Sequence, residues 1–362
     1  MRVLILNWRD IKNPKSGGAE IVTLEHAKYW VKRGHNVTWF TSSFKGANRE
    51  EFLNGVKIVR FGNFITVYLF APFYYFFSGN KFDIVIDQIH GLPFFTPAYV
   101  RIKKIALIHE VAGPIWDYMY PFPINYIGRL IEPIYFKIYE NVKFWTPSNS
   151  TINDLIRYGI SRKNCIKIHC GINNKVLEKL PVKEKDPTFI FVSRIVRMKG
   201  IEDVIKSFFI INDSIKTSSL WIVGEGEKKY IDYLKKRFNL ASRKNVKFFG
   251  FVSDQKKLSL MRKAHLLLHA SIKEGWGLVV IEAASQGTPS IVYNVAGLEE
   301  SVVNKKTGIV LEIRTPEEMA LSSIKLLKNP KVYQKYQKYS LDLAKSLTWN
   351  KAVKQSLKLI EA

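Results

Sequence analysis

Lys273-Glu274-Gly275-Trp276-Gly277-Leu278-Val279-Val280-Ile281-Glu282-Ala283-Ala284-Ser285-Gln286 is the stretch whose reading decides the fold. An apolar run over 264–270 precedes it and reads as a strand. The spacing from Leu278 to Gln286 predicts a helix, closed by Gly287. Two glycines flank Trp276, so the turn between strand and helix is tight and its backbone can approach a ligand closely. Amides at a helix start are unpaired and carry partial positive charge, which suits a phosphate. Glu274 stands just before that start, and Glu282 follows about two turns along. A carboxylate is a poor partner for phosphate but a good acceptor for sugar hydroxyls. Two acids bracketing a phosphate site therefore suggest a phosphorylated ligand with hydroxyls at both ends, such as a sugar nucleotide.

Glu274-x7-Glu282 followed by Ala283-Ala284-Ser285-Gln286-Gly287-Thr288-Pro289 closely resembles the retaining glycosyltransferases of family 4. The resemblance runs from Gly17 to about Gly308. It implies the GT-B fold: two Rossmann-like, doubly wound α/β domains facing a central cleft. We place the N-terminal, acceptor-binding domain at 1–172 and the C-terminal, nucleotide-sugar-binding domain at 173–345, with a final helix at 346–362 packing back on the first.

The pattern of runs supports the same architecture. Strand-like segments alternate with helix-like ones, which favours parallel sheets. Strands are predicted at 3–7, 36–41, 56–61, 84–87, 104–108 and 144–147, then at 188–192, 219–223, 246–249, 266–270 and 289–293. In such sheets ligands gather at the carboxyl ends of strands.

In the second half, Phe189–Val192 leads into a loop that carries Arg194 and Lys199. Arg can bind a diphosphate through two parallel hydrogen bonds, and Lys acts as a point charge. The resemblance assigns both to the donor diphosphate, together with the amides near Gly277 and Leu278. Gly224, in Trp221-Ile222-Val223-Gly224-Glu225-Gly226, allows close approach of a ligand. The Gly250-Phe251-Val252 turn is similar to the family segment that reads the base, so Phe251 and Val252 join the nucleotide set. Glu282 is expected at the ribose and Glu274 at the donor sugar. Val295-Ala296-Gly297-Leu298 reads as a glycine loop entering a helix, and Thr307-Gly308 as a turn.

In the first half, Gly17-Gly18 precede a helix that runs to Lys32. Paired glycines let backbone amides near a phosphate, and a simple tight turn is the plainer reading. The resemblance puts this loop near the acceptor. His90 and His109 both follow predicted strands. The resemblance favours His109, where the family carries an active-site histidine that contacts the donor sugar. His109-Glu110 opens no His-Glu-x-x-His zinc motif, since position 113 is Gly. The segment 64–77 holds eight aromatic residues and Pro72. It fits either a buried helix pair or an interfacial element dipping into a bilayer. The stretch 126–143, with Arg129, Lys137 and Lys143, adds a second aromatic and basic element. His169-Cys170-Gly171-Ile172-Asn173 departs from the Asn-Gly-Ile-Asp wording at which the family passes into its second domain.

Composition bounds the class. With 362 residues and 47% hydrophobic content the chain can bury two cores. Met1 to Trp8 reads as a first buried strand and not as a signal peptide, and no apolar run is long enough to span a bilayer. Cys165 and Cys170 form no disulfide framework and no zinc knuckle. The net charge of +25 attracts polyanions: nucleic acid, anionic lipid or phosphorylated substrates. No nucleic-acid-binding motif accompanies it.

The expected activity is a hexosyltransferase that moves a hexose from a nucleotide-diphosphate sugar to an acceptor hydroxyl with retention. The preferred acceptor is a lipid-linked or phosphorylated glycan at the cytoplasmic face of an anionic membrane, with the protein cytoplasmic and peripheral. No cofactor is expected. The sequence has no Asp-x-Asp, so a metal-independent reaction is expected, in which cations and a helix start neutralise the leaving diphosphate. The alternatives are another GT-B nucleotide-sugar enzyme, such as an epimerase, or a basic nucleic-acid-binding protein without catalysis.

Overall fold

The computed structural model describes residues 1–79, 81–172 and 175–362. The chain divides into two compact units, Met1–Gly171 with Trp349–Ala362, and Ile172–Thr348. Asn173 and Asn174, where the second half is expected to begin, lie outside the described residues.

Among the described residues of the first unit the strands are β1 (Arg2–Leu6), β2 (Asn36–Thr41), β3 (Glu50–Leu53), β4 (Val56–Arg60), β5 (Ile84–Ile89), β6 (Lys103–Ile108), β7 (Lys143–Thr146) and β8 (Cys165–Lys167). They form one sheet in the order β3-β4-β2-β1-β5-β6-β7-β8. Every pairing is parallel except β3 with β4. Sequence reading missed that exception: Asn54-Gly55, both with positive φ, is the dipeptide that closes a two-residue hairpin. β1 and β5 are buried along almost their whole length, as strands covered on both faces must be. The strand order reverses between β1 and β5, so the loops after them open at a topological switch point.

In the second unit the strands are β9 (Thr188–Val192), β10 (Ser219–Val223), β11 (Val246–Gly250), β12 (Leu266–His269), β13 (Ser290–Tyr293) and β14 (Gly308–Leu311). They form an all-parallel sheet in the order β11-β10-β9-β12-β13-β14. Here the reversal falls between β9 and β12. Gly308, read from sequence as part of a turn, opens β14 instead: once Thr307 has turned the chain, Ile309, Val310 and Leu311 pair with β13.

The helix Trp349–Glu361 belongs to the first unit although it ends the chain. Its Ala352, Leu359 and Ile360 lie in the same apolar cluster as Val3, Ile5 and Trp30. Lys103 Nζ donates to the carbonyls of Leu359 (3.0 Å) and Ile360 (2.8 Å), closing the last turn from outside the helix.

The aromatic segment departs from the buried-pair reading. It is a single helix, Val67–Phe77, that continues through Pro72 and buries only Val67 and Ala71. Leu69, Phe73, Phe76 and Phe77 stay exposed, because an all-apolar sequence offers more surface than one sheet face can cover. Cys165 and Cys170 are buried and free, and burial pushes the Cys170 thiol up to about 12.

Candidate functional site

The loops leaving the central strands of the second sheet meet. β9 ends at Val192 and its loop carries Arg194 and Lys199 towards the helix Ile201–Ser214. β12 ends at His269 and its loop carries Ser271 and Glu274. Because β9 and β12 are parallel neighbours, both loops leave on the same edge. Lys199 Nζ lies 2.5 Å from Glu274 Oε1, His269 Nε2 lies 3.0 Å from the same oxygen, and Ser271 Oγ donates to it at 2.8 Å. Among the described residues Oε2 of Glu274 accepts no hydrogen bond, and the side chain is 15% exposed. Burial pushes the Glu274 carboxyl up, but the Lys199 ammonium and the His269 ring outweigh it and hold the acid well below the usual carboxylate range. The result is a carboxylate gripped by one oxygen with the other open.

The backbone around it is held from the far side. Glu274 N–H donates to Ala296 O at 3.1 Å. Gly297 has φ +81°, and a Cβ there would sit 2.2 Å from the Glu274 carbonyl oxygen, so only glycine lets the two loops approach this closely. Gly277 caps the helix Leu278–Ser285 with φ +76°, a left-handed turn that brings the first amides of that helix round.

Not all residues chosen from sequence join this cluster. Arg194 is exposed and its side chain makes no hydrogen bond or ion pair among the described residues, while Lys199 is engaged by Glu274. The two therefore do not stand as a pair of free cations. Arg197 lies instead over the rings of Tyr230 and Tyr233, at 5.8 and 5.9 Å. Glu282, on the helix, is held by Lys257 Nζ at 2.8 Å; burial pushes its carboxyl up against the pull of that lysine. Gly224 follows β10 and donates its amide to Gly250 O at 2.9 Å. Phe251 is exposed beside it, and Val252 packs on the core. A concavity of about 340 Å³ opens nearby between Arg197, Asp203, Tyr293 and Arg314; it shares Ser271 with the Glu274 cluster and Val295 with the glycine loop read from sequence.

In the first unit the glycine loop is not open as expected. The Gly17 amide donates to Glu20 Oε2 at 2.7 Å, so the acid of the loop's own helix takes the place a phosphate would have had there. Glu20 is fully buried, and its Oε1 receives Arg9 Nε at 2.8 Å. His109 follows β6 and His90 follows β5; their rings lie 6.0 Å apart. Burial and the neighbouring His90 hold His109 down to about 3, and burial with Arg9 holds His90 well below the ordinary value, so both rings are neutral at physiological pH.

Sequence reading missed His269, Ser271 and Lys257. His269 carried the same signal that singled out His90 and His109, a histidine at the carboxyl end of a strand. Lys257 carried none, since its partner is 25 residues away. Among the described residues no group of three or more His, Cys, Asp or Glu side chains is placed to hold a metal ion.

Comparison with known proteins bears on the whole chain. Residues 16–176 match the model of Glycosyltransferase Family 4, and residues 173–342 match Glycosyl transferases group 1. The chain is 24% identical over 347 residues to N-acetyl-alpha-D-glucosaminyl L-malate synthase of Bacillus anthracis, covering 89% of this chain and 87% of that protein. Its fold is similar to that of WaaG, a glycosyltransferase involved in lipopolysaccharide biosynthesis, with a TM-score of 0.79 at 17% identity over 99% of both chains. It is also similar to HepE of Anabaena in complex with UDP-glucose, with a TM-score of 0.78 at 16% identity over 100% of this chain and 99% of that one. Two matched models that together span residues 16–342, on two parallel α/β sheets, establish that the chain belongs to the family 4 glycosyltransferases, retaining enzymes of the GT-B fold that use a nucleotide-sugar donor.

Proposed function

We propose that the protein transfers a hexose from a nucleoside-diphosphate hexose to a hydroxyl of a lipid-linked glycan at an anionic membrane surface. The observation that carries the donor half is Glu274: ionised, anchored through Oε1 by Lys199, His269 and Ser271, and with Oε2 left to accept from sugar hydroxyls. In this reading Arg194, Lys199 and the amides near Gly277 and Leu278 stabilise the departing diphosphate. Glu282 holds the ribose, and Gly224, Phe251 and Val252 line the nucleotide. His109 serves the donor sugar or its phosphate, and Gly17 and Gly18 shape the acceptor side. The bond from the anomeric carbon to the diphosphate breaks and its electron pair leaves with the phosphate oxygen. The acceptor hydroxyl bonds to the same face of that carbon and yields its proton to the departing oxygen. The Anabaena protein of this fold binds UDP-glucose, which makes uridine nucleotides the first donors to test.

The acceptor half is supported by surface. The helix Ile124–Ile138 turns Ile124, Ile127, Ile131, Ile134 and Ile138 outward, each between 37% and 60% exposed. The helix Val67–Phe77 adds its exposed Phe73, Phe76 and Phe77. Among the described residues no helix is long and apolar enough to cross a membrane, so these faces suit docking on a bilayer and not passage through it. With a net charge of +25, anionic headgroups are the fitting partner.

A thermal-shift series with UDP-, GDP- and ADP-hexoses tests the donor. A true donor raises the melting temperature, by the equivalent of about 2.7 kcal/mol at a hundred times its Kd. If none of them moves it, the donor assignment fails.

A further inference from the structure

A chain of buried polar side chains runs through the first unit to the two histidines. Asn7, Thr23 and Gln88 are all 2% exposed or less. The chain begins at a donor whose identity is not in question: the backbone N–H of Arg9 donates to Asn7 Oδ1 at 3.3 Å. That fixes the Asn7 amide, so its Nδ2 donates to Gln88 Oε1 at 2.9 Å. Thr23 Oγ1 lies 2.7 Å from the same oxygen and shares its proton between it and Ala19 O. With its oxygen committed, Gln88 must turn its NH2 group to the other side. There it meets His90 Nε2 at 3.0 Å and His109 Nε2 at 3.4 Å. An amide NH2 only donates, so both Nε2 atoms are acceptors, and a neutral imidazole that accepts at Nε2 carries its proton on Nδ1.

We propose that Gln88 is a positioning residue for the transfer reaction, fixing His90 and His109 as neutral rings protonated on Nδ1. His109 then meets its ligand only as an Nδ1–H donor. This rests on the reading that His109 serves transfer. The net effect of the charged and titratable groups around the pair agrees with it. Glu20 Oε1, on the helix Gly18–Lys32, is 3.6 Å from His90 Nε2, too far for a hydrogen bond, and its ion pair with Arg9 Nε offsets its pull on a proton there. Burial, His90 and Arg9 disfavour positive charge on His109 and outweigh the Glu20 carboxylate, which favours it. A neutral donor keeps its proton across the range in which an ordinary histidine would titrate, so its hydrogen bond does not switch with pH.

The test is ¹⁵N-resolved imidazole spectroscopy of the full-length protein, with the two rings assigned from His90→Asn and His109→Asn. The native protein should show both rings as Nδ1–H tautomers that do not titrate between about pH 5 and 8. Gln88→Glu replaces the donor with a carboxylate acceptor. It should convert both rings towards imidazolium and give kcat a new acidic dependence. Gln88→Leu should lower kcat about ten-fold or more while leaving KM for the nucleotide sugar within about three-fold, the scale on which groups that orient a histidine act. An Nε2–H tautomer at His109 in the native protein overturns the proposal, as does a Gln88→Leu enzyme with native kcat and pH profile. Should the variants not fold, the native spectrum alone still decides the tautomer. Native protein that turns over no nucleotide sugar would instead sink the donor assignment, while the spectrum would still report on Gln88.

Discussion

Glu274 shows what one residue carries in this molecule. It was legible as a candidate because it stands before a helix start at a fixed distance from Glu282. Nothing in that spacing says that Lys199, 75 positions earlier, would close on one of its oxygens. The consequence can be measured. Glu274→Gln should lower kcat by about 10²–10³-fold, the scale of losing one charge-stabilising group in an active site. The far-UV circular dichroism spectrum should be unchanged. The substitution also leaves Lys199 without its counter-ion, at a cost of about 2 kcal/mol. The sign with pH follows from the depressed carboxyl. The clamp stabilises the fold fully above the ordinary glutamate pKa of roughly 4.3 and loses that contribution as pH falls towards the lower folded value. The gap in melting temperature between native and variant should therefore be widest near neutrality and shrink below about pH 4. A gap that stays constant down to that pH would mean Glu274 is not held ionised by Lys199.

At the scale of an element, the helix Ile124–Ile138 is instructive because its two faces have different fates. Gly128, Glu132, Tyr135 and Phe136 turn inward. Glu132 accepts from the amides of Ala112 and Gly113 and from Trp116 Nε1, which pins the chain that follows His109. Among the described residues the outward isoleucines join none of the buried apolar clusters. Ile127→Glu with Ile134→Glu should leave the melting temperature within experimental scatter, since neither side chain is buried. It should weaken binding to vesicles containing phosphatidylserine by about a hundred-fold or more, given about 1.5–3 kcal/mol for each of the two isoleucines buried. Unchanged sedimentation with such vesicles would remove the membrane from the proposed function. The sequence made the aromatic and basic character of this region plain. It could not say whether the apolar residues were covered, because coverage depends on what the rest of the chain lays over them.

At the scale of the whole molecule, the last helix is a structural part of the first unit. Leu359 and Ile360 fill its core, and Ser356 Oγ lies 2.7 Å from His26 Nδ1 and accepts from Trp30 Nε1 at 3.1 Å. Removing Trp349–Ala362 withdraws Val353, Leu359 and Ile360 from burial, roughly 5–9 kcal/mol by area. That is comparable with the whole stability of a domain. The truncated chain should therefore lose proteolytic protection in the first unit, while the second, which contributes nothing to that core, keeps its own. Equal protection of both units after truncation would show that the helix only decorates the surface.

The sequence by itself determined the alternation of strands and helices, the family, and the positions of the acids, glycines and histidines that close each strand. Those are local matters, set by side-chain period, by turn chemistry and by a motif contained within a few residues. Only the tertiary structure decided who holds whom: Lys199 with Glu274, Lys257 with Glu282, Arg9 with Glu20, and Gln88 between His90 and His109. In a parallel sheet each strand is brought beside its neighbour by a crossover of variable length, so the loops that meet at a switch point come from distant stretches of chain. The pairing of side chains there depends on strand order and register, which no local pattern encodes.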